Sequence, residues 1–262
     1  MSATPPPAAV AEDAPSAHVG LRDAVLAGWY RQETGELFEG FRIGPEDVVA
    51  DIGCGDGGNA AFCGRFAARV VVADIDPGRV ARTVERVRAA GARRVEGHAT
   101  DGDPLPIASA TATRVVCTEV LEHVPDPARF LAELARIGQP GAEYLITVPD
   151  PVGERLQRPV AAPSYFAPPN HVRVIERDEL ARLVAAAGLR VTRQTGFGFY
   201  WTVWMTMFWS CGVDLAAPHH PVLDGWARAW NGLLDTEEGR QAKRALDAAL
   251  PKSQVILARK PG

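Results

Sequence analysis

The stretch VVADIGCGDGGNA, residues 48–60, joins an apolar run to an acid and a glycine-rich turn. Asp51, Gly53, Gly55 and Gly57 fit the pattern D-x-G-x-G-x-G, while Gly53, Gly55 and Gly58 fit G-x-G-x-x-G. Glycines in such a turn allow tight backbone angles and let a ligand approach the main chain. In a dinucleotide fold the helix that follows faces a pyrophosphate. Here Asp51 ends the apolar run and Asp56 lies inside the loop. Two acids are awkward beside a pyrophosphate and favourable beside an ammonium. A further acid, Asp74, closes the next apolar run, close to the ~20-residue offset of a ribose-binding carboxylate. Histidines at 123 and 171 and Glu119 are candidate general bases for an acceptor that must lose a proton.

These residues need a scaffold that brings strand ends together. Val48–Ile52, Arg69–Ala73, Thr113–Thr118 and residues 142–148 read as short apolar strands and residues 94–97 as a weaker one, with helical spacing between them. This alternation is the signature of a doubly wound α/β sheet. A helix over 176–187 and a strand over 189–195 follow a proline-rich linker, residues 149–170, and SQVILARK closes the chain as a last strand. The spacing of Leu21, Val25 and Trp29, then Leu37, Phe38 and Phe41, predicts N-terminal helices within 19–45. Trp29 and Tyr30 on them would offer aromatic faces to a sulfonium, with core packing as the plainer role. Residues 197–250 predict an aromatic-rich helical cap: its rings pack on the sheet, or line a pocket for a flat apolar molecule, or dock on a membrane surface, the last disfavoured because no basic face accompanies them. The cap could also serve as a dimer face. Residues 1–18 read as a disordered Pro/Ala tail ahead of a single domain over 19–262.

The charge pattern of the loop favours S-adenosylmethionine (AdoMet), which carries an ammonium and no phosphate, over NAD. DIGCGDG, ADIDP, TEVLEHVPDP and YLITVPDP, in this order over about residues 46–196, resemble the motifs of the class I AdoMet-dependent methyltransferases. The small-molecule branch, with quinone-biosynthesis and natural-product enzymes, is the nearest match. The resemblance implies a mostly parallel seven-stranded sheet whose last strand inserts antiparallel. It puts Asp51, Gly53, Gly55 and Gly57 at the methionine end of AdoMet, Asp74 on the ribose, Ile75 against the adenine and Glu119 near the methyl-transfer face. In GHATDGDPLP, His98 stands where many relatives have the acid that meets the adenine amino group, and Asp101 is taken as its substitute. The resemblance also implies a small-molecule acceptor, because TEVLEH replaces the [ND]-P-P-[YF] motif of DNA and protein amide methyltransferases.

A formal net charge of −4 and a pI near 5.9 oppose a nucleic-acid partner. Four scattered cysteines, none spaced C-x-x-C, fit a reduced, cytoplasmic protein. No secretory signal is expected from MSATPPPAAVAEDAPSA, and no apolar run reaches the ~18 residues of a membrane span. His219 and His220 lack a well-spaced third ligand, so no metal is expected. The leading expectation is methyl transfer to an aromatic or apolar metabolite at an O, N or C atom. A catalytically silent AdoMet-binding module and an NAD-dependent oxidoreductase are the alternatives.

Overall fold

The computed structural model describes residues 15–214 and 218–262. In chain order the elements are α1 (Pro15–Leu26), β1 (Trp29–Arg31), β2 (Glu36–Phe38), β3 (Phe41–Arg42), β4 (Val48–Ile52), α2 (Gly58–Gly64) and β5 (Arg69–Asp74). There follow α3 (Pro77–Ala89), β6 (Val95–Ala99), β7 (Ala112–Thr118), α4 (Pro127–Ile137), β8 (Gly138–Pro149) and α5 (Pro151–Gln157). A 3₁₀ turn (Pro163–Phe166), α6 (Arg177–Ala186), β9 (Arg190–Phe197), α7 (Phe199–Cys211), α8 (Pro221–Leu233), α9 (Glu237–Ala249) and β10 (Ser253–Arg259) complete the chain.

The chain forms two compact units, and the first comprises residues 29–148, 177–194 and 255–262. It is built on a seven-stranded sheet in the order β6-β5-β4-β7-β8-β10-β9. Strands β4, β5, β6, β7 and β8 pair in parallel. Their apolar runs reflect burial on both faces: Val49, Val70–Ala73 and Val115–Cys117 are at most 1% exposed. Strand β10 runs against β8, because Lys260 bonds to Ala142 while Lys252 bonds to Asp150. It also runs against β9, since Lys252 donates to Phe197 and Leu257 accepts from Thr192 Oγ1. The expected antiparallel insertion of the last strand is therefore present.

Three helices start on an Asp-Pro pair. Asp76, Asp126 and Asp150 are the N-caps of α3, α4 and α5, and each side chain accepts backbone N–H groups of the first turn. Proline follows at the first helical position, where its missing N–H removes no bond.

The expectation of helices over 19–45 holds only to Leu26. Residues 29–42 instead form a three-stranded antiparallel sheet, with Trp29 opposite Phe38 and Phe38 opposite Phe41. The spacing of Leu37, Phe38 and Phe41 imitates a helix. Gly35 (φ +69°) and Gly40 (φ +87°) outweigh it by supplying the positive-φ turns of two tight connections. The expected tail over 1–18 is helical from Pro15, and residues 1–14 lie outside the described residues. The 149–170 linker is not structureless either, since it holds α5 and the 3₁₀ turn.

The second unit comprises residues 1–28, 149–176 and 195–254. Tyr200, Trp204 and Phe208 of α7 pack with Val19 of α1 and with Leu223, Ala227 and Trp230 of α8. The aromatics of this segment therefore fill a helical core of their own unit. Gly20 lets α1 approach α7, as a Cβ there would stand 2.2 Å from the Trp201 ring. A buried charge cluster crosses this unit. Lys243 of α9 contacts Asp23 of α1 at 3.2 Å and Asp247 at 2.5 Å, and Trp230 donates its indole N–H to Asp23 at 2.8 Å.

Candidate active site

Parallel register brings the carboxyl ends of five strands to one edge of the first unit. Ile52 pairs with Ala73, Asp74 with Ala99, and Thr118 with Thr147. The glycine-rich turn leaves this edge after β4. Its first N–H groups, Gly53 and Cys54, both donate to Ala73 O, at 2.7 and 3.0 Å. Gly53 adopts φ +76°, and a Cβ there would lie 2.2 Å from Val120 Cγ2, so only glycine fits. Gly55 also has positive φ (+50°), yet nothing lies within 4 Å of where its Cβ would be. The backbone there is open to a ligand. Gly57 (φ +81°) is the N-cap of α2.

Asp51 is 1% exposed, and neither carboxylate oxygen meets a donor in full hydrogen-bond geometry. Burial pushes its pKa up to about 7, the Ala60 N–H offsets only part of this, and the Asp74 charge adds to it. A buried acceptor without a donor is unfavourable by roughly 1–3 kcal/mol, and more for a charge. An incoming ammonium satisfies such a group, which makes the residues present a fit for the amino-acid end of AdoMet.

Asp74 is fixed by the turn itself. Its Oδ2 accepts from Gly55 N–H and its Oδ1 from Asp76 N–H, both at 3.0 Å. Each oxygen keeps a lone pair for a ribose hydroxyl. Ile75, next along the chain, is 75% exposed, an apolar side chain available to a flat base. Thr100 N–H bonds to Asp74 O, so the loop carrying Asp101 starts beside the ribose acid. Asp101 is exposed and accepts only from Asp103 N–H at 3.2 Å, whereas Asp103 is paired with Arg129 at 2.8 Å. Cys54 is buried and its thiol is pushed up to about 12 by that burial, in keeping with a packing role.

Two site candidates carry backbone strain. Tyr30 (φ +53°) and Glu119 (φ +57°) are non-glycine residues in the left-handed region, a conformation costing of the order of 1–3 kcal/mol. Glu119 is held there by Thr147, whose O accepts its N–H and whose hydroxyl donates to Oε1, both at 2.9 Å. Tyr30 sits on β1 rather than on a helix. Its hydroxyl donates to Asn59 Oδ1 at 2.9 Å, Asn59 Nδ2 donates to Thr118 Oγ1 at 3.1 Å, and burial raises its pKa to about 12. This relay ties β1, α2 and β7 together below the turn.

Asp51, the three glycines, Asp74, Ile75, Asp101, Glu119 and Tyr30 thus all belong to the first unit. His123 is there too, with Nε2 at 3.7 Å from Oε1 of the buried Glu122. His171 belongs to the second unit, where its Nδ1 lies 3.0 Å from Glu154 Oε2. Sequence reasoning missed Asn59, Thr83, Arg86 and Thr147. Thr83 donates to Gly55 O at 2.9 Å and Arg86 to Asp56 O at 3.0 Å, so α3 braces the turn. Arg86 carried a signal, as an exposed cation one turn from a buried Thr83 on the helix after the ribose acid. Asn59 and Thr147 carried none, because their partners are distant in sequence.

A family model described as a methyltransferase domain matches residues 30–194. A relative in Mycolicibacterium smegmatis, named "Probable S-adenosylmethionine-dependent methyltransferase", is 32% identical over 56% of this chain and 54% of its own length. The chain thus spans about half of that relative. A ubiquinone biosynthesis O-methyltransferase of Rhizobium etli is 29% identical over 68% of this chain and 72% of its own. Among solved structures, the geranyl diphosphate C-methyltransferase of Streptomyces coelicolor superposes with a TM-score of 0.56 at 16% identity, over 92% of this chain and 77% of that one. That likeness concerns the fold alone. No described helix is long and apolar enough to cross a membrane. With the motif residues gathered at the carboxyl edge of a seven-stranded sheet, this chain belongs to the class I AdoMet-dependent methyltransferase family, in its small-molecule branch.

Proposed function

We propose that the protein transfers the methyl group of AdoMet to a small aromatic or apolar acceptor, with a hydroxyl oxygen as the acceptor atom. The observation that carries the reading is Asp51, a carboxylate 1% exposed with no donor in full hydrogen-bond geometry, beside the open backbone of Gly55. A pyrophosphate would add negative charge beside that acid, so NAD is disfavoured. The similarity to relatives named ubiquinone biosynthesis O-methyltransferase supports oxygen as the acceptor atom.

When bound, AdoMet supplies a methyl already activated on a sulfonium, so the chain's work is binding, orientation and exclusion of water. Asp51 takes the ammonium, Asp74 the ribose hydroxyls, Ile75 the adenine face and Asp101 its amino group. Glu119 and Tyr30, held in strained conformations, border the methyl face. His123, of the same unit, is the candidate base for the acceptor proton.

Thermal denaturation with S-adenosylhomocysteine and with NAD tests this directly. S-adenosylhomocysteine at a hundred times its Kd stabilises by about 2.7 kcal/mol, and NAD leaves the transition in place. Stabilisation by NAD alone defeats the reading. Asp74→Ala removes a ribose acceptor and the partner of Gly55 N–H. Its S-adenosylhomocysteine affinity falls at least about tenfold, or ~1.4 kcal/mol, and wild-type affinity in calorimetry would remove Asp74 from the site.

A further inference from the structure

At the amino edge of the sheet, opposite the glycine-rich turn, four strands of the first unit carry a row of charge. Arg114 of β7 pairs in register with Glu143 of β8. On the other side of β8, Lys260 N–H donates to Ala142 O at 2.9 Å, which sets Glu143 against Arg259 of β10. Thr192 Oγ1 donates to Leu257 O at 3.0 Å, and two residues along this antiparallel pair Arg190 of β9 faces Arg259. The row therefore reads Arg, Glu, Arg, Arg. Direct cross-strand neighbours have Cβ atoms roughly 4.5–5.5 Å apart.

The acids beside this row both go to one arginine. Arg114 contacts Asp47 at 3.3 Å and Glu143 at 3.6 Å. Among the described residues, neither Arg190 nor Arg259 lies within ion-pair distance of a carboxylate, and Arg259 donates through Nε to Gly141 O at 3.3 Å. Like charges directly opposed across two strands are destabilising. Packing does not call for them either, since both residues are exposed. The two arginines line a cleft of about 200 Å³, together with Gly40, Phe41 and Thr192. That is below the roughly 300–1,000 Å³ of a site for a drug-sized ligand, so the cleft suits a small ion.

We propose that Arg190 and Arg259 form a binding site for a phosphate dianion, separate from the cofactor turn. Each guanidinium presents a planar fork of donors that matches two oxygens of a phosphate. A tetrahedral dianion has oxygens enough for two forks at once, and its charge balances both cations. A single carboxylate offers two oxygens and one charge, so it serves only one arginine. The opposed arginines are thus unfavourable by themselves and favourable once an anion bridges them. Strand β9 is the terminal strand of the sheet, and the bridging anion fastens it to β10. The phosphate is free in solution or carried as a monoester by a metabolite, and both forms present the same oxygens.

The test uses the full chain with excess S-adenosylhomocysteine, so that the cofactor turn is occupied, at constant ionic strength. Inorganic phosphate and glycerol 3-phosphate are titrated by calorimetry into wild type, Arg190→Gln, Arg259→Gln and Arg193→Gln. Arg193, on the same strand, is held by Glu39 at 2.9 Å and serves as the control. Wild type is expected to bind inorganic phosphate with a Kd of about 1 mM or tighter. Arg190→Gln and Arg259→Gln each weaken binding at least about tenfold, and Arg193→Gln leaves it within about twofold. Tighter binding of glycerol 3-phosphate assigns the site to a phosphorylated metabolite, and tighter binding of inorganic phosphate to the free ion; either result supports the site. Without phosphate, Arg190→Gln melts no lower than wild type, because it relieves the opposed charges. A lower melting temperature overturns the proposal, since it reveals a contact within the protein that the guanidinium maintains. So does phosphate that fails to saturate by about 10 mM, or equal affinity in wild type and either of the two variants. The variants decide the site, so failure of S-adenosylhomocysteine to bind defeats the cofactor reading and leaves this test intact.

Discussion

Asp51 makes the affinity for the cofactor depend on pH in a direction that its surroundings dictate. Burial raises its pKa to about 7, and an ammonium is held by the carboxylate, not by the acid. In the free protein the ionised fraction falls from about 90% at pH 8 to about 3% at pH 5.5, from the mass action of one group. S-adenosylhomocysteine affinity accordingly drops about thirty-fold over that range, or ~2 kcal/mol at ~1.4 kcal/mol per factor of ten. Calorimetry at pH 5.5, 7 and 8, in buffers of different ionisation enthalpy, reads both the affinity and the protons exchanged. Binding at pH 5.5 releases close to one proton per site, and at pH 8 almost none. The unliganded chain has the opposite trend. A raised native pKa contributes stability below the unfolded value of 3.8 that is lost as pH rises through about 7. The ligand-induced stabilisation is therefore largest on the alkaline side. Asp51→Asn should bind weakly at every pH and exchange no proton. A pH-independent wild-type affinity, or binding at pH 5.5 without proton release, refutes the assignment of Asp51 to the ammonium.

Asp23 offers a second linkage, within the helical unit. Desolvation outweighs the Lys243 charge and raises its pKa from 3.8 to about 6, so its contribution to stability is present below 3.8 and lost as pH rises through 6. Urea denaturation of Asp23→Asn and wild type should show the variant gaining about 2.5 kcal/mol relative to wild type between pH 4 and pH 7, and a constant difference refutes the uncompensated charge. At the glycine turn, Gly53→Ala forces a Cβ to 2.2 Å from Val120 at φ +76°. It should destabilise by roughly 2 kcal/mol or more and abolish S-adenosylhomocysteine binding. Adding Val120→Ala relieves the clash but not the backbone angle, so recovery in denaturation and binding is partial.

What the sequence conveyed well is what local chemistry controls. The central parallel strands β4, β5 and β7 announce themselves by apolar runs because burial on both faces leaves no polar side to alternate, whereas the edge strand β6 (VEGHA) does not. Asp74 is legible as the acid that closes β5, and the Asp-Pro pairs mark the start of α3, α4 and α5. What it concealed depends on partners far along the chain. The N-terminal sheet was hidden because Leu37, Phe38 and Phe41 satisfy a helical period as readily as a hairpin. The strain at Glu119 requires Thr147 on the neighbouring strand, and the Tyr30 relay requires Asn59 and Thr118. Asp23 meets Trp230 across 207 positions. In the aromatic segment over 199–209, Tyr200, Trp204 and Phe208 are at most 2% exposed within the core of their own unit, which is a packing role for those three rings. The polar residues of α5 carry a further signal. Glu154 and Gln157 stand three apart and so share one face of a helix, with Val152 and Leu156 four apart on another. Such a helix must bury one set and expose the other, and only a partner for the acid decides in favour of the costly choice. Tyr165 and His171 supply that partner, so Glu154 is 2% exposed while Val152 and Leu156 stand 42% and 44% exposed.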